Sequence, residues 1–365
     1  MTMDDDRTMD REKARKLGDK FLSLLKRNRI FVFMAIFLFT LPLWAQSISG
    51  PLGIDIVYVM RLVGVFTIVA VGLNLLMGYA GQVSLGHGAF FGVGAYTSAL
   101  LTVKAGFPVW LGLIMAIVVA AVIGLLVAPI LRLKGHYLAM ATLGLGIIAF
   151  VFFRELVWLT NGNDGIRSIP DLALPGVEIS SRKGEYIFVW VVALVILILC
   201  SNLVRSRMGR AIRALHQSEV AAEAMGIDVA WQKIKIFMLS AALGGLAGGI
   251  FAHLQGYIGP GSFDIILSIE LVTMVVVGGM ESIWGAVAGA GLIMFLPEFI
   301  KAVPKWLGDV PRWVERYSNY EGLVFGLILI LTMIFMPAGI TKSLSDMVRY
   351  RRSPFKNPFR KKVMQ

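Results

Sequence analysis

Of 365 residues, 57% are hydrophobic and 16% are charged, with a formal net charge of +12. The charges gather in short stretches between long apolar runs, a distribution that a bilayer enforces, because a charge at its centre costs about 2.5–3.5 kcal/mol on insertion scales. The basic excess lies at the termini and in two loops beside apolar segments, so it reads as the flanks of a membrane protein; a nucleic-acid surface and a soluble enzyme are both excluded. A single cysteine, Cys200, rules out an intrachain disulfide framework.

In chain order, a basic arm (1–29) precedes apolar windows that predict spans at 30–48, 55–78, 84–103, 108–131 and 137–159. The first window also resembles the hydrophobic region of a signal peptide, but no small-x-small cleavage site follows it. Next comes a polar loop, 160–185, whose Asn161-Gly162-Asn163-Asp164-Gly165 and two prolines predict ordered turns that a partner could touch. Further spans are expected at 186–204, 233–257, 264–280, 283–301 and 320–338, followed by a basic tail at 341–365. Between 204 and 233 the composition favours an amphipathic helix pair, with Gly226 able to end the second helix. The fold class is therefore all-α and integral to the membrane, a bundle of about ten transmembrane helices.

Lysines and arginines set the orientation. The arm holds nine, the turn at Arg132 and Lys134 two, the segment 205–235 six and the tail eight, which places 25 of 35 on one side. By the positive-inside rule both termini and the 205–232 segment face the cytoplasm, and the 160–185 loop faces outward.

No Gly-Lys dipeptide occurs, so the chain has no nucleotide-cradling P-loop. The four histidines are scattered and lack metal-ligand spacing, and G-x-S-x-G is absent. The informative stretch is Met77 to Tyr96, where glycines, Gln82, Ser84 and His87 interrupt an apolar sequence. Irregular polar backbone at membrane depth is tolerated only against protein or a watery cavity, so Asn74, Gln82, Ser84, His87 and Gly88 are candidates to line a pathway. The glycines alone would serve equally to let helices approach closely, as would the pairs Gly244/Gly248, Gly245/Gly249, Gly285/Gly289 and Gly322/Gly326. Arg61 and Arg154-Glu155 fall near the outer interface, within reach of water by snorkelling. Glu270, a few residues into its span, either pairs with Arg61 or faces a wet vestibule.

The run Gly78-Tyr-Ala-Gly-Gln-Val-Ser-Leu-Gly-His-Gly-Ala-Phe-Phe91 resembles the signature of permease subunits of branched-chain amino-acid ABC importers. In order after it, Glu223-Ala-Met-Gly226, Lys233 to Phe237, Ser240 to Gly249 and Gly279-Met-Glu-Ser-Ile-Trp-Gly285 are similar to the same family, so the likeness covers roughly residues 55–340. It implies the longer of two permease types, working in a bacterial cytoplasmic membrane with a second permease, two ATP-binding-cassette ATPase subunits and an extracytoplasmic solute-binding protein. ATP and Mg would be held by the ATPases and no cofactor by this chain. The resemblance also implies that the cytoplasmic segment engages an ATPase through an E-A-A-x-x-x-G-like pattern. Here Ala221, Ala222 and Gly226 match, while Val220 holds the acidic position and Glu219 comes one residue early. Arg210, Arg213 and Glu223 complete the expected coupling set. Urea or short-amide permeases of the same family would look much alike. An autonomous channel or an ion-coupled carrier, with Glu270 as its carboxylate, is the alternative of a different class.

Overall fold

The computed structural model describes residues 54–307 except 175, 176 and 180, together with isolated positions 38, 40, 41, 327 and 330. Apart from those positions, the spans expected at 30–48 and 320–338, the pair Gly322/Gly326 and both terminal segments lie outside the described residues. Ten helices of six or more residues follow: α1 (Ile56–Asn74), α2 (His87–Val103), α3 (Val109–Val127), α4 (His136–Glu155), α5 (Arg182–Arg205), α6 (Arg207–Gln217), α7 (Glu219–Ala224), α8 (Val229–Gln255), α9 (Ile265–Gly278) and α10 (Ile283–Leu307). Six stretches, Ile56–Tyr79, Val109–Arg132, His136–Glu155, Arg182–Arg205, Val229–Gln255 and Pro260–Gly278, are long and apolar enough to cross a membrane. The apolar part of α10, Ile283–Phe299, is shorter. The chain is a multi-pass membrane protein. Its only described strands are β1 (Ala173–Leu174) and β2 (Val177–Glu178), a two-residue antiparallel pair in the polar loop.

Helix ends follow local chemistry. Ser206, Ser218 and Asp228 each accept a backbone N–H through the side chain and cap α6, α7 and α8 in succession, which is why the 205–232 segment breaks into two short helices. Ser181 caps α5 in the same way, so that helix begins four residues earlier than the apolar window predicts and draws Glu185 into its first turn.

Two ends of the bundle are distinguishable by their contacts, and they agree with the alternation expected of the spans. At one end Lys134 meets Glu219, and His216 lies 3.8 Å from Glu281. At the other, Arg182 reaches Asp55, Lys104 donates to the carbonyl of Leu159 at 2.7 Å, and Ile166 pairs with Ile258 across a backbone bridge. Arg61 also belongs to this second end. It is 7% exposed, so it does not snorkel, and the carboxylate that takes it is Glu185. Removing one partner of a buried pair would strand the other charge, so these two residues depend on each other. Arg154 and Glu155 pair with each other while exposed, as residues at an interface can.

Helix α8 is central and packs on α2, α3 and α1. Its glycines form two seams. Gly248 lies against the Phe91 carbonyl and Gly244 against Phe90 of α2, whereas Gly245 and Gly249 lie against Ala116 of α3. Gly289 likewise meets the Met274 carbonyl across α9 and α10. These pairs are packing seams, in which a missing Cβ lets backbones touch. Aromatic rings fill the space beside them: Phe66 stacks on Phe91 at 5.7 Å and Tyr96 on Phe153 at 4.6 Å, with Phe251 and Phe263 edge-on. By contrast α4 buries only Leu138, Thr142 and Phe153.

The seam gives a paired test. Gly248→Ala would drive a methyl group into the Phe91 carbonyl and should cost about 1–3 kcal/mol, read as earlier thermal unfolding in detergent. Gly144→Ala, where nothing lies within 4 Å of the added carbon, should leave the transition in place. Equal behaviour of the two variants would sink the seam assignment.

Candidate functional site

The first helix does not stop cleanly. After Asn74 it widens into a π-helical turn, Leu75–Tyr79, closed by Ala80 N–H donating to the Leu75 carbonyl at 3.2 Å and Gln82 N–H to Leu76 at 3.0 Å. Gly81 takes φ 68°, the left-handed conformation such an end requires. From there to Gly86 the chain forms neither helix nor strand and bends at Leu85 before α2 begins. Alternate residues face opposite ways: Gly81 and Val83 are exposed, whereas Gln82, Ser84 and Gly86 are buried.

The end of this stretch lies deep. His87 meets Ser240, eleven residues into α8 from Val229 and so about 16 Å along it. Gly86 lies against the Thr142 carbonyl, within α4. Freed backbone groups at such depth need partners, and neighbouring helices supply two hydroxyls for them and a third for the His87 ring. Leu85 N–H donates to Thr142 Oγ1 at 3.0 Å, and Gly88 N–H to Ser268 Oγ at 3.1 Å. His87 is 1% exposed and bridges Ser84 Oγ (2.9 Å from Nδ1) and Ser240 Oγ (2.6 Å from Nε2). No carboxylate takes part in this relay, and each ring nitrogen is engaged by a hydroxyl that can either donate or accept.

Asn74 holds a second break. Its Nδ2 donates to the Ser282 carbonyl at 2.7 Å, and its Oδ1 accepts from Glu281 N–H at 3.2 Å, bracing the α9–α10 turn. In that turn Gly279 has φ 118° and Glu281 φ 64°, a conformation that costs a non-glycine residue about 1–2 kcal/mol. Gly78 lies against the same turn, so the two glycine-rich breaks meet.

Of the six pathway candidates, Asn74, Ser84, His87 and Gly88 are thus held within the chain's own polar bonding. Gln82 is buried at 6% with a 3.4 Å contact from Nε2 to the Ala80 carbonyl, and its Oε1 has no partner. Glu270 is half-buried on α9. Thr142, Ser240 and Ser268 were not legible as partners of the break. Their only sequence signal is a lone hydroxyl in an apolar run.

The 205–232 segment sorts its candidates differently. Glu219 turns inward and bridges Lys233 Nζ at 2.7 Å and Lys134 Nζ at 3.1 Å. Burial pushes its carboxyl up, but the hydrogen bonds from the two lysines outweigh this and hold it below the ordinary carboxylate range. Ala222 is fully buried with Leu215 and Val229 at the joint of α6, α7 and α8. Gly226 ends α7 at φ 79°. Arg213 donates to the Val204 carbonyl at 3.1 Å and Arg210 to Arg205 at 3.3 Å, so both arginines satisfy the open carbonyls that end α5. What α7 and the residue that ends it present outward is Val220 at 76% exposure, Met225 at 68%, Ala221, Glu223 and Ala224. The acidic residue that comes one position early is therefore occupied in holding the helix down, and an apolar residue stands where the pattern has its acid.

Ser240→Ala would leave a buried ring nitrogen unpaired; we expect a loss of about 1–3 kcal/mol and new protease sensitivity between Gly81 and Gly86. An intact stretch would mean that the relay is dispensable. Glu219→Gln should speed amide exchange in Glu219–Ala224 by about tenfold, the scale of a charge-assisted bond, without changing the middle of α8. In the unsubstituted protein the sign is fixed by the lowered carboxyl: the contact contributes stability above about pH 4 and is lost as pH falls through the folded value. Chemically corrected exchange of this segment should accordingly be flat from about pH 8 to 5.

Residues 55–333 match the family described as "Branched-chain amino acid transport system / permease component". The chain is 32% identical over 329 residues to the high-affinity branched-chain amino acid transport system permease protein LivM of Escherichia coli, covering 83% of this chain and 74% of that one. To the probable LivM permease of Methanocaldococcus jannaschii it is 25% identical, with 79% and 94% covered. The high-affinity LivH permease of Salmonella typhimurium is 26% identical, over 75% of this chain and 90% of the relative. No solved structure matches. With a bundle of apolar helices, a broken polar stretch deep within it and this likeness along most of its length, the chain belongs to the branched-chain amino acid transport permease family, as a permease subunit of the longer, LivM type.

Proposed function

We propose that this chain forms, with a second permease, the path by which branched-chain or similar hydrophobic amino acids cross a bacterial inner membrane. Two ATPase subunits that bind ATP and Mg drive the importer, and an extracytoplasmic binding protein supplies the substrate. The observation that carries the pathway is the backbone from Gly81 to Gly86. Among the described residues no donor reaches the carbonyls of Gly81 to Leu85, and Gln82 Oε1 is buried without a partner. From its end at Gly81, beside His216, the strip runs inward to Gly86, and peptide groups left open along the way call for water or a polar solute. An aliphatic amino acid carries opposite charges beside an apolar body, and this strip offers it carbonyls and N–H groups next to Val83 and Leu85. The strip has an exposed edge at Gly81 and Val83, so a second chain is needed to close the path. Gln82 is placed at the path, Ser84, His87 and Gly88 as the frame that holds it open, and Asn74 as the brace of the turn opposite. Glu270 is proposed to face the outer half of the path. On the cytoplasmic side the outward residues of α7, Val220, Ala221, Glu223 and Met225, meet the ATPase, while Glu219, Ala222 and Gly226 set the helix's position and Arg210 and Arg213 anchor the segment to α5.

ATP-dependent uptake of radiolabelled leucine into proteoliposomes tests the reading. Uptake should require this chain, the second permease, the ATPases and the binding protein together, and Gln82→Ala should lower it several-fold at equal expression. Uptake by this chain alone would overturn the mechanism, urea uptake in place of leucine would change the substrate, and an unaltered Gln82→Ala rate would remove that residue from the path.

A further inference from the structure

A cleft of about 480 Å³ opens at the cytoplasmic end of the bundle, between the end of α3, the helix α7 and the first turns of α8. Its inner walls are apolar, from Leu125, Pro129, Val229 and Ile234, and its charged residues are Arg132, Lys134, Lys233, Glu219 and Glu223. The charges are not equivalent. Lys233, with a side chain 7% exposed, forms the floor and is matched by Glu219. Lys134 touches the same carboxylate at 3.1 Å but stands 73% exposed at the mouth, with ammonium protons to spare. Arg132 is exposed beside it, and none of the described carboxylates pairs with it.

The level of this mouth in the bilayer is marked from both sides. The span Val109–Arg132 ends here and the span Val229–Gln255 begins here. Leu126 points outward, 72% exposed, shortly before the basic turn, and Leu125 of the cleft wall is 42% exposed. Trp231, 48% exposed with the Lys235 ammonium 5.2 Å over its ring, stands one residue from the cleft wall, the position an interfacial aromatic takes. Apolar walls that run into the hydrocarbon and a basic mouth at the headgroup level are the two halves of an amphiphile's outline.

We propose that this cleft is a binding site for one anionic phospholipid, its phosphate on Arg132 and Lys134 and an acyl chain along Leu125 and Ile234. Arginine suits the role because its planar fork can take two phosphate oxygens at once. The lipid would share Lys134 with Glu219, so its occupancy bears on the contact that positions α7 and does not depend on which solute is transported.

The test is native mass spectrometry of the purified complex containing the full chain, delipidated and then titrated with phosphatidylglycerol, phosphatidylcholine or glycerol phosphate. Phosphatidylglycerol should bind at one copy per chain at least tenfold more tightly than phosphatidylcholine. Arg132→Gln, which breaks no ion pair among the described residues, should abolish that preference, and Lys183→Gln on the opposite end should retain it. Equal binding of the two lipids, or a preference that survives Arg132→Gln, would overturn the proposal. Equally tight binding of glycerol phosphate would overturn it in favour of a soluble phosphate site, and recovery of preference only after removing residues 1–29 would assign the cleft to that acidic-tipped arm.

Discussion

A helix that breaks inside a membrane must have its freed peptide groups met by something, and in this chain that requirement organises the centre of the bundle. Three hydroxyls, on α4, α8 and α9, converge on Leu85 to Gly88: Thr142 takes the Leu85 N–H, Ser268 takes the Gly88 N–H, and Ser240 takes the His87 ring. Each bond ties a different helix to the same short segment. The glycines then follow as a condition of approach, because Gly86 and Gly88 are where the Thr142 carbonyl and the Ser268 hydroxyl come nearest. Packing and polar satisfaction are here one constraint, since neither holds without the other.

Much of this was legible in the sequence, and the parts that were not share a reason. Apolar windows locate α3, α4 and α8 within a few residues, and the mixture of glycine with Gln82, Ser84 and His87 marks the break. Its partners stay hidden because a lone hydroxyl in an apolar helix has two uses that sequence does not separate. Thr273 bonds the carbonyl of Ile269 one turn back in its own helix, and Thr102 does the same with Ser98, whereas Ser240 and Ser268 reach across. Glu185 stays hidden for another reason: the apolar window starts after it, and only the Ser181 cap brings it into a helix facing Arg61. Without that cap in view, Glu270 stood as a carboxylate that could pair with Arg61 or face a wet vestibule.

The 205–232 segment shows how an E-A-A-x-x-x-G-like pattern can keep its geometry while its charge moves. The buried alanine and the terminal glycine stay in register, since Ala222 needs a small side chain at the joint and Gly226 a left-handed turn. Moving the acid one place along a helix turns it by about 100°, enough to point Glu219 at Lys233 instead of the cytoplasm. The outward face that results is apolar at Val220 and Met225, and its one carboxylate is Glu223.

One pair of helices repeats its bonding with the residues exchanged. Near the cytoplasmic side His87 of α2 meets Ser240 of α8; nearer the outside Ser98 of α2 meets His253 of α8 at 2.8 Å. Between these rungs the backbones touch at Gly94 and Gly245. Two helices joined at both ends and in contact along the middle resist shear and bending as a laminated beam does. The beam's ends are not free: Lys233 is bound to Glu219 of α7, and His253, twenty residues on and about 30 Å away, donates through Nδ1 to the Pro170 carbonyl of the outer loop at 2.7 Å. A tilt imposed at one bilayer surface would be carried along this pair toward the other, and the outer loop, tied to its far end at Pro170, would move with it.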